Sequence, residues 1–455
     1  MEFWCNVGTV NNTIIQKSDG ATAPGWMVAV TTSLMRLQTG DGSNHIRQTT
    51  AGTSGWHHYV LTRGAAATGN VYVDGVADTN VSAAKTFTNN ASDVVVGPDG
   101  GIFGLVLYSR VITQPEAMAM ASFAYGSAPP PAASAEGFGS VATGGAGLTS
   151  YVVTTTADSG AGSLRDALSA GSRYITFSCS GTITLATQLN PTGNAITVDG
   201  TTSPTGIKLA GAPIFWSGNS NVIVKGLRFR DQTLPATADS MTLKDGCTNF
   251  LIDHCSFSGA DDGSLDITLD CSDVTVQWCF LGPQKVGIEG HTSQIARSTE
   301  NVTVHHNLFY EGHTRHPQCG DGDNAYEPGT TLQGDIRCNL IWAPTQGLYG
   351  TLITAGAVAN VVRNYYYLSV VGANRNVHTE TTGSAYSAEN YDRSGGSTAT
   401  TTPHTEMPIP GFATVTMEAT ALLAAVAVLA GAGCRTNGLD ATDQAIVNAI
   451  NAAGL

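Results

Sequence analysis

Charged residues are scarce in this 455-residue chain, at 12% of the sequence, and aromatic residues contribute only 7%. Glycine is abundant instead, with 53 residues. Many glycines and few charges are typical of a protein rich in strands and turns, and they disfavour a helical one. The length is enough for two or three domains, although a repetitive fold can use it as one long unit.

Long hydrophobic runs and an excess of basic residues are also missing. The alanine-rich run Ala419–Cys434 follows Glu418 and is shorter than the roughly 20 residues that a membrane-spanning helix needs, so no membrane partner is expected. Acidic residues outnumber basic ones, 35 to 21, and no basic face is visible, which predicts no nucleic-acid partner. Residues Met1–Val7 read as a strand and not as a signal peptide, so we expect the sequence to begin inside a domain.

The nine cysteines show no short spacing that is typical of a zinc site. Cys255 and Cys279 are expected to stack one above the other, close enough in principle for a disulfide. The interpretation that we favour is a column of small buried thiols. The cysteines therefore do not indicate the redox compartment.

One short pattern occurs three times in the second half of the chain. Each copy opens with Asn or Asp and continues through a short apolar and β-branched strand: Asn249–Phe257, Asp273–Leu281 and Asn301–Phe309. Weaker copies occur at Asn221–Phe229, Leu332–Ile341 and near Val358–Tyr366. The interval between neighbouring copies is the size of one coil of a parallel β-helix, whereas a β-sandwich would show turns about every 8–12 residues.

Stacking these coils in register predicts a polar column inside the helix. Strands in such a stack lie about 4.8 Å apart, so equivalent positions form ladders along the axis. One ladder can be read directly from the sequence: Cys255, Cys279, Asn307, Asn339 and Asn364. Asparagine side chains in that position can bond to each other and to the turn backbone, which makes a buried polar column stable.

The chain divides into an N-terminal β region, a linker and the repetitive region. Residues 1–125 contain Trp56–Leu61, the strand and Asp-Gly turn of Asn70–Val76, and Ile102–Arg110 before a short helix at Gln114–Glu116. In this order they resemble a partial laminin-G/concanavalin-like jelly roll, a fold that implies carbohydrate or surface binding. Residues 126–136 form a Pro/Ala linker, and 137–455 is the second domain, which we expect to end in helices at 416–431 and 440–453.

The second domain resembles the pectate lyase family, polysaccharide lyase family 1. The resemblance rests on "GFGSVATGG", "GSLRDAL", "ITVDG", "NVIVKGLRFR", "DHCSFSGADDGSLDI", "KVGIEGH" and "NVTVHHNLFYEGHTRHP", in family order. It implies an all-β fold, a right-handed parallel β-helix behind the N-terminal jelly roll. It also implies a calcium-dependent, secreted, monomeric enzyme that cleaves de-esterified polygalacturonate, an acidic polysaccharide, by β-elimination.

The same resemblance assigns roles to five residues. Asp239, Asp262 and Asp266 match the family's calcium ligands, Lys285 matches its substrate-binding lysine, and Arg315 matches its catalytic arginine in the pattern Arg-x-Pro. Two positions depart from the family, because Thr237 replaces a frequent second acid and Gly320 replaces a second arginine. These departures put the strength of metal and substrate binding in question.

Elementary chemistry supports such a set of residues. β-Elimination removes a proton α to a uronate carboxylate, so the site must neutralise that charge, which calcium and Lys285 can do. Asp262 and Asp266 would lie about 13 Å apart in one straight strand. A shared ion therefore requires a bend, with Gly263 as the expected hinge.

The base is the step that the residues alone leave open. Arginine can accept a proton only where nearby positive charge favours its neutral form, so His313, His316 and Lys285 are alternatives to Arg315. His254, His305 and His306 are expected to be structural. Two other functions stay open: a non-catalytic glycan-binding β-helix, favoured by Thr237 and Gly320, and a hydrolase that uses two carboxylates.

Overall fold

The protein is described by a computed structural model in which two compact units are formed, Met1–Ala128 and Pro129–Leu455. In the first unit it describes the backbone of the strands between residues 2 and 106. From residue 135 onward it describes all residues except 233–238, 286–289, 321–332, 355, 370–374, 380–381, 394–404, 408–414, 416, 419 and 454. Thr237 and the helix predicted at Gln114–Glu116 lie outside the described residues.

The described strands of the first unit form two antiparallel sheets. The strands are β1 (Glu2–Val7), β2 (Thr13–Lys17), β3 (Trp26–Val30), β4 (Met35–Thr39), β5 (Gly55–Leu61), β6 (Val71–Val73), β7 (Val76–Ala77), β8 (Val95–Val96) and β9 (Ile102–Val106). Their orders are β7-β6-β5-β1-β9 and β4-β3-β2-β8. The laminin-G/concanavalin-like identity of this unit stays a prediction.

The second unit is a right-handed parallel β-helix, as the repeat predicts. Sheet I contains β10 (Thr149–Val153), β11 (Arg173–Phe177), β13 (Ile196–Asp199), β16 (Ser220–Lys225), β19 (Thr248–Asp253), β22 (Ser272–Gln277), β25 (Glu300–His305), β28 (Gln333–Arg337), β31 (Val358–Val362) and β34 (Ser384–Ala388). Sheet II contains β12 (Gly181–Leu185), β14 (Ile207–Gly211), β17 (Leu227–Gln232), β20 (Ser256–Ser258), β23 (Phe280–Leu281), β26 (Leu308–Tyr310), β29 (Leu340–Ala343), β32 (Tyr365–Leu368) and β35 (Tyr391–Asp392). Sheet III contains β15 (Ile214–Ser217), β18 (Met241–Lys244), β21 (Leu265–Ile267), β24 (Ser293–Ile295), β27 (Gln318–Cys319), β30 (Tyr349–Ile353) and β33 (Arg375–Thr379).

Each repeat begins with a residue that tolerates a left-handed backbone. Asn249, Asp273 and Asn301 have φ values of 56°, 55° and 56°, a region in which Asn and Asp are enriched because their side chains bond locally. The strand that follows buries its apolar side chains. Phe250 pairs with Val274 and Val274 with Val302, and all three are fully buried. The repeated pattern in the sequence is therefore the turn into sheet I and the strand that fills the core.

The predicted polar ladder is present between sheets I and II. The backbone N–H of Cys279 donates to Asn307 Oδ1 at 2.8 Å, Asn307 Nδ2 donates to Asn339 Oδ1 at 3.1 Å, and Asn339 Nδ2 donates to Asn364 Oδ1 at 2.9 Å. Asn390 extends it by one coil. Each amide also donates to a backbone carbonyl, so the column stays satisfied although it is buried. Cys255 and Cys279 are buried free thiols.

Asn339→Ala should lower the free energy of unfolding by roughly 2–4 kcal/mol. The truncation removes the acceptor of the Asn307 N–H and one donor each from the carbonyls of Val304 and Arg337 inside the core. Urea denaturation measures the effect, with Asn190→Ala as the control because Asn190 is exposed. Equal losses in the two variants would contradict a stabilising role for the ladder.

Segments at both ends of the second unit cover the outer face of sheet I. The glycine-rich entry runs along it in a short 3₁₀ turn, Phe138–Val141, where the Gly139 N–H donates to Thr275 Oγ1 at 2.8 Å. A side chain at Gly139 would overlap the Phe250 carbonyl. The glycine is therefore required by close approach to the sheet.

Three α-helices complete the described part of the second unit. They are α1 (Leu164–Ala167), α2 (Ala421–Gly431) and α3 (Ala441–Ala452), with two further 3₁₀ turns at Gly200–Thr202 and Arg435–Asn437. Ser163, Thr420 and Asp440 are the respective N-caps, so α2 begins later than the predicted start at 416. Neither these helices nor any other described one has the length and apolar character that crossing a bilayer requires.

Candidate active site

A column of polar side chains crosses three strands of sheet III. Thr242 in β18 pairs with Asp266 in β21, and Asp266 pairs with Gln294 in β24. Asp239 lies shortly before β18, and Arg315 lies shortly before β27, the next strand of the sheet. Stacking of the coils therefore brings together residues that are far apart in the sequence.

Two of the predicted metal ligands converge around Gly263. A Cβ at that position would lie 2.6 Å from Asp239 Oδ1 and 3.5 Å from Asp266 Oδ1, so both carboxylate oxygens border the same small space. Gly263 is not among the described residues with a left-handed φ. It leaves space for the carboxylates, and the chain bends on both sides of it, at Asp261, Asp262 and Ser264.

The charge of Asp262 raises the pKa of both other carboxyl groups, Asp239 and Asp266. Burial, then Asp266 and Asp262, raise the pKa of Asp239 well above its usual value. Burial also raises the pKa of Asp266, to about 6, with Asp262 adding to the rise and Arg315 opposing it. Three acids that disfavour each other's ionised form are stable together only with a proton or a cation among them.

This donor set fits a calcium ion. Asp239 Oδ1 is buried and has no hydrogen-bond partner in the described part of the chain, while Oδ2 accepts from Thr242 Oγ1 at 3.3 Å. Carboxylate oxygens are the ligands that hard divalent cations prefer. An orphaned buried oxygen among three acids indicates a place for a cation.

In the presence of a chelator, the protein should lose stability as pH rises from about 4 to 6.5. Asp266 has an ordinary pKa of 3.8 and a folded pKa of about 6, so the folded state holds more protons between these values and deprotonation favours unfolding. After allowance for partial exposure, we expect a loss of about 1–2 kcal/mol. Urea denaturation across this range measures it, and Asp266→Asn should flatten the curve. An unchanged slope in that variant would contradict the assignment.

Arg315 is fixed beside the carboxylates by its backbone and its side chain. Its carbonyl accepts hydrogen bonds from the Ser293 N–H at 3.0 Å and from the Thr292 hydroxyl. Its φ is 65°, a left-handed value that a non-glycine residue adopts only where the surroundings impose it. Nη1 donates to Gln294 Oε1 at 3.0 Å. The guanidinium is therefore held against β24, the strand next to the one that carries Asp266, and it lowers the pKa of Asp266.

Lys285 lies on the turn that leads from sheet II to sheet III. Its Nζ forms an ion pair with Asp261 Oδ1 at 2.7 Å, and its side chain remains 37% exposed. Asp261 is the residue before Asp262 and is buried. The lysine is thus anchored to the same turn that carries one of the predicted metal ligands, with its ammonium group still open to solvent.

The two histidines near Arg315 have different environments. His316 is fully buried, its Nδ1 lies 2.7 Å from the Tyr349 carbonyl, and burial lowers its pKa to about 4. It cannot reach a substrate in this position. His313 is exposed, so it stays an alternative base.

Gly320 leaves no room for the second arginine of the family. Its φ is 102°, and a Cβ there would overlap the carbonyl oxygen of Thr354. The replacement of that arginine by Gly320 is therefore accompanied by a local backbone conformation that has no room for any side chain.

Gln294 and Asp261 belong to the site but were not predicted. Gln294 stands one coil after Asp266 and pairs with it across sheet III. Asp261 stands one coil before Lys285, its ion-pair partner. Both relations follow from the repeat, so its period could have found the two residues. Arg297, which also lowers the pKa of Asp266, lies just beyond β24 and carries no such signal.

Comparison with known sequences identifies the family of this fold and site. The family described as "Pectate lyase" matches residues 117–434, which is more than half of the chain. The chain belongs to the pectate lyase family. A "Probable pectate lyase C" from Aspergillus terreus is 30% identical over 257 residues, covering 55% of this chain and 57% of that protein. One from Emericella nidulans is 34% identical over 187 residues, covering 40% of this chain and 43% of that protein.

A solved structure supports the fold independently of sequence. Jun a 1, the major allergen from cedar pollen, has a TM-score of 0.52 and 19% identity, covering 66% of this chain and 92% of that one. At this identity the likeness concerns the β-helix alone. The chain spans little more than half the length of the Aspergillus terreus relative, so family membership does not by itself assign an activity to this pectate lyase homologue.

Proposed function

We propose that this protein is a calcium-dependent pectate lyase that cleaves de-esterified polygalacturonate by β-elimination outside the cell, acting as a monomer. The observation that carries the proposal is the cluster of Asp239, Asp262 and Asp266 beside Arg315 on one sheet. Membership of the pectate lyase family supports the substrate class, an acidic polysaccharide. Calcium among the three acids would bind the uronate carboxylate of the substrate and make the adjacent C–H more acidic.

The chain's own residues would perform the remaining steps. Lys285, whose ammonium group stays partly exposed, would hold a uronate carboxylate by charge. Arg315 would remove the C5 proton. The electron pair left on C5 forms the C4–C5 double bond, the C4–O bond breaks, and the leaving oxygen takes up one proton from solvent, while Arg315 returns the C5 proton to solvent. No water is consumed.

Gln294 would act as the positioning residue for Arg315. Its side-chain carbonyl oxygen holds Nη1, and its backbone N–H donates to Asp266 Oδ1 at 3.0 Å. One residue therefore links the proton acceptor to a metal ligand. A fixed guanidinium helps because reacting atoms must meet at about 3–3.5 Å.

Mass spectrometry of the products tests the proposal. Elimination gives oligogalacturonides with one unsaturated end, so each cleavage yields fragments whose combined mass equals that of the parent chain. Hydrolysis adds one water at each cleavage. We expect unsaturated products with calcium present, and saturated products would overturn the proposed reaction.

Two observations favour other functions, and the mass spectrometry distinguishes those functions from a lyase. The backbone at Gly320 leaves no room for the substrate-binding arginine that the family has there. This favours a non-catalytic glycan-binding β-helix, which would release no products. Asp239 and Asp266 border one small space, and paired carboxylates with a raised pKa are also the machinery of a glycoside hydrolase. Neither alternative uses Arg315, so its position beside the acids favours the lyase.

A further inference from the structure

A second cluster of ligand-type side chains lies away from sheet III, at the turns that follow sheet I. His306 and Cys338 are the residues immediately after β25 and β28, and they occupy the same position in consecutive coils. Glu418 joins them from the segment before α2. One ligand atom from each of the three lies within 4.8 Å of the others. His306 and Cys338 are buried, at 1% and 0% exposure.

A chain of hydrogen bonds fixes the tautomer of the neighbouring His305. Gln277 Nε2 donates to Asp253 Oδ1 at 3.0 Å, so its Oε1 faces His305 Nε2, at 3.2 Å. An amide oxygen only accepts, so His305 Nε2 carries a hydrogen. His305 is fully buried and its other hydrogen-bond partner is His306, so a second ring proton would leave an unpaired charge in the core. Its Nδ1 is therefore an acceptor.

The lone pair of His306 Nε2 follows from this chain. His306 Nδ1 lies 2.8 Å from His305 Nδ1 and must donate to it. In the neutral ring Nε2 then carries no hydrogen. This nitrogen lies 2.9 and 3.1 Å from the two carboxylate oxygens of Glu418. Two acceptors that face each other at this distance require a cation between them, either a proton or a metal ion.

The third member of the cluster favours the metal ion. The Cys338 side chain hydrogen-bonds to Glu418, so all three groups already meet at one point. Imidazole nitrogen, carboxylate oxygen and thiolate sulfur together are a zinc-type donor set. Ligand atoms in a tetrahedral zinc site lie roughly 3.2–3.6 Å apart, given bonds of about 2.0–2.3 Å, so only small movements are needed. The bond from His306 Nδ1 is also the second-shell contact that metal-binding histidines make through their other ring nitrogen.

The rest of the surroundings keeps His306 in place. Its ring stacks on Trp278, with centroids 4.4 Å apart and an interplanar angle of 15°. Among the described residues, the segment that carries Glu418 is attached by hydrogen bonds from and to the coils. Arg363 Nη1 donates to the Glu418 carbonyl at 2.8 Å, and the Met407 N–H donates to Asn360. An ion bound by Glu418 would therefore fasten this segment further to the coils.

We propose that His306 Nε2, Cys338 Sγ and the Glu418 carboxylate bind one zinc-type transition-metal ion that clamps the C-terminal segment onto the β-helix. The site lies on a different sheet from Asp239, Asp262 and Asp266. Its donor set includes an imidazole and a soft thiolate, whereas theirs consists of carboxylates, so the two sites select different metals. Short-range spacing in the sequence could not reveal it, since the three ligands come from three separate segments of the chain.

Cobalt(II) is the probe for the experiment, added to the full chain after metal removal with a chelator. We expect one equivalent to bind with a sulfur-to-cobalt charge-transfer band and strong visible bands of a tetrahedral ion. Cys338→Ala should abolish the charge-transfer band and weaken cobalt binding by at least about a hundredfold, since even second-shell losses cost 10–100-fold. The matched control is Cys319→Ala, which removes a buried thiol from sheet III and should leave the spectrum unchanged.

A second measurement covers the case in which Cys338→Ala does not fold. Zinc added to the unaltered chain at 100 times its dissociation constant should raise the folded-to-unfolded ratio about a hundredfold in urea, whereas Glu418→Gln should reduce this gain. Absence of a sulfur-to-cobalt band in the unaltered chain, or a band that survives in a folded Cys338→Ala variant, would overturn the proposal. Neither readout depends on lyase activity.

Discussion

Arg315→Lys should lower kcat on polygalacturonate by about 10²–10⁴-fold with little change in KM, because general base catalysis contributes that much. Lysine keeps the charge but loses the length and the planar fork of the guanidinium. It therefore cannot keep the bond to Gln294 Oε1 and reach the C5 proton together. Initial rates of formation of unsaturated product give both constants.

Arg297→Lys is the matched control for this substitution. Arg297 is exposed and also lowers the pKa of Asp266, so the control alters a nearby cation without touching the proposed base. We expect kcat within a few-fold of the unaltered enzyme. A raised KM with nearly constant kcat in Arg315→Lys would make Arg315 a substrate clamp, and the base would then be sought at Lys285 or His313.

Asp239→Asn should have opposite effects on activity and on stability. The variant loses a charged ligand, so the calcium concentration for half-maximal activity should rise at least tenfold, since ligand charge sets calcium affinity. Without calcium the same variant should be more stable than the unaltered protein wherever Asp239 is ionised, because it lacks a carboxyl whose pKa is raised by burial and by two neighbouring acids. Calcium titrations of activity and urea denaturation in chelator measure the two effects.

Asp245→Asn serves as the control for Asp239→Asn. Asp245 follows the same strand, β18, but its side chain is 46% exposed and bonds to Ser217 and Lys244. It should leave the calcium response unchanged. If Asp239→Asn instead destabilised the calcium-free protein and left that response intact, Asp239 would be a structural residue.

The fold could be predicted largely because the repeat determines it. Asn249, Asp273 and Asn301 mark turns that only a few residue types adopt, and the period between them equals one coil. The ladder of Asn307, Asn339 and Asn364 followed from that period without further information. The laminin-G/concanavalin-like unit carries no such repeat, and its identity stays a prediction.

The site was predicted less completely, for reasons of geometry. The acids and Arg315 came from resemblance, and stacking explains why residues so far apart in sequence converge. The sequence indicates that a bend is needed between Asp262 and Asp266. The structure bends at Asp261, Asp262 and Ser264, on both sides of Gly263, and the glycine also leaves space for the carboxylates. The effect of Arg297 on Asp266 depends on which side chains approach each other, which a period alone does not determine.

The environments of the histidines could be predicted least well from the sequence. His316 entered as an alternative base, and burial against Tyr349 removes it from that role. His254, His305 and His306 were expected to be structural, and the stack of His254, Trp278 and His306 agrees with this. The pairing of His306 with Glu418 joins segments that are distant in the sequence, which no local pattern could indicate.

The most direct test of the central claim is the ultraviolet absorbance of polygalacturonate incubated with the full chain, with calcium or with a chelator. The conjugated unsaturated uronate that elimination creates absorbs, and a hydrolysis product does not. We predict a steady rise in absorbance with calcium, no rise with chelator, and recovery when calcium alone is added back. New reducing ends without absorbance, or binding without cleavage in the presence of calcium, would contradict the account.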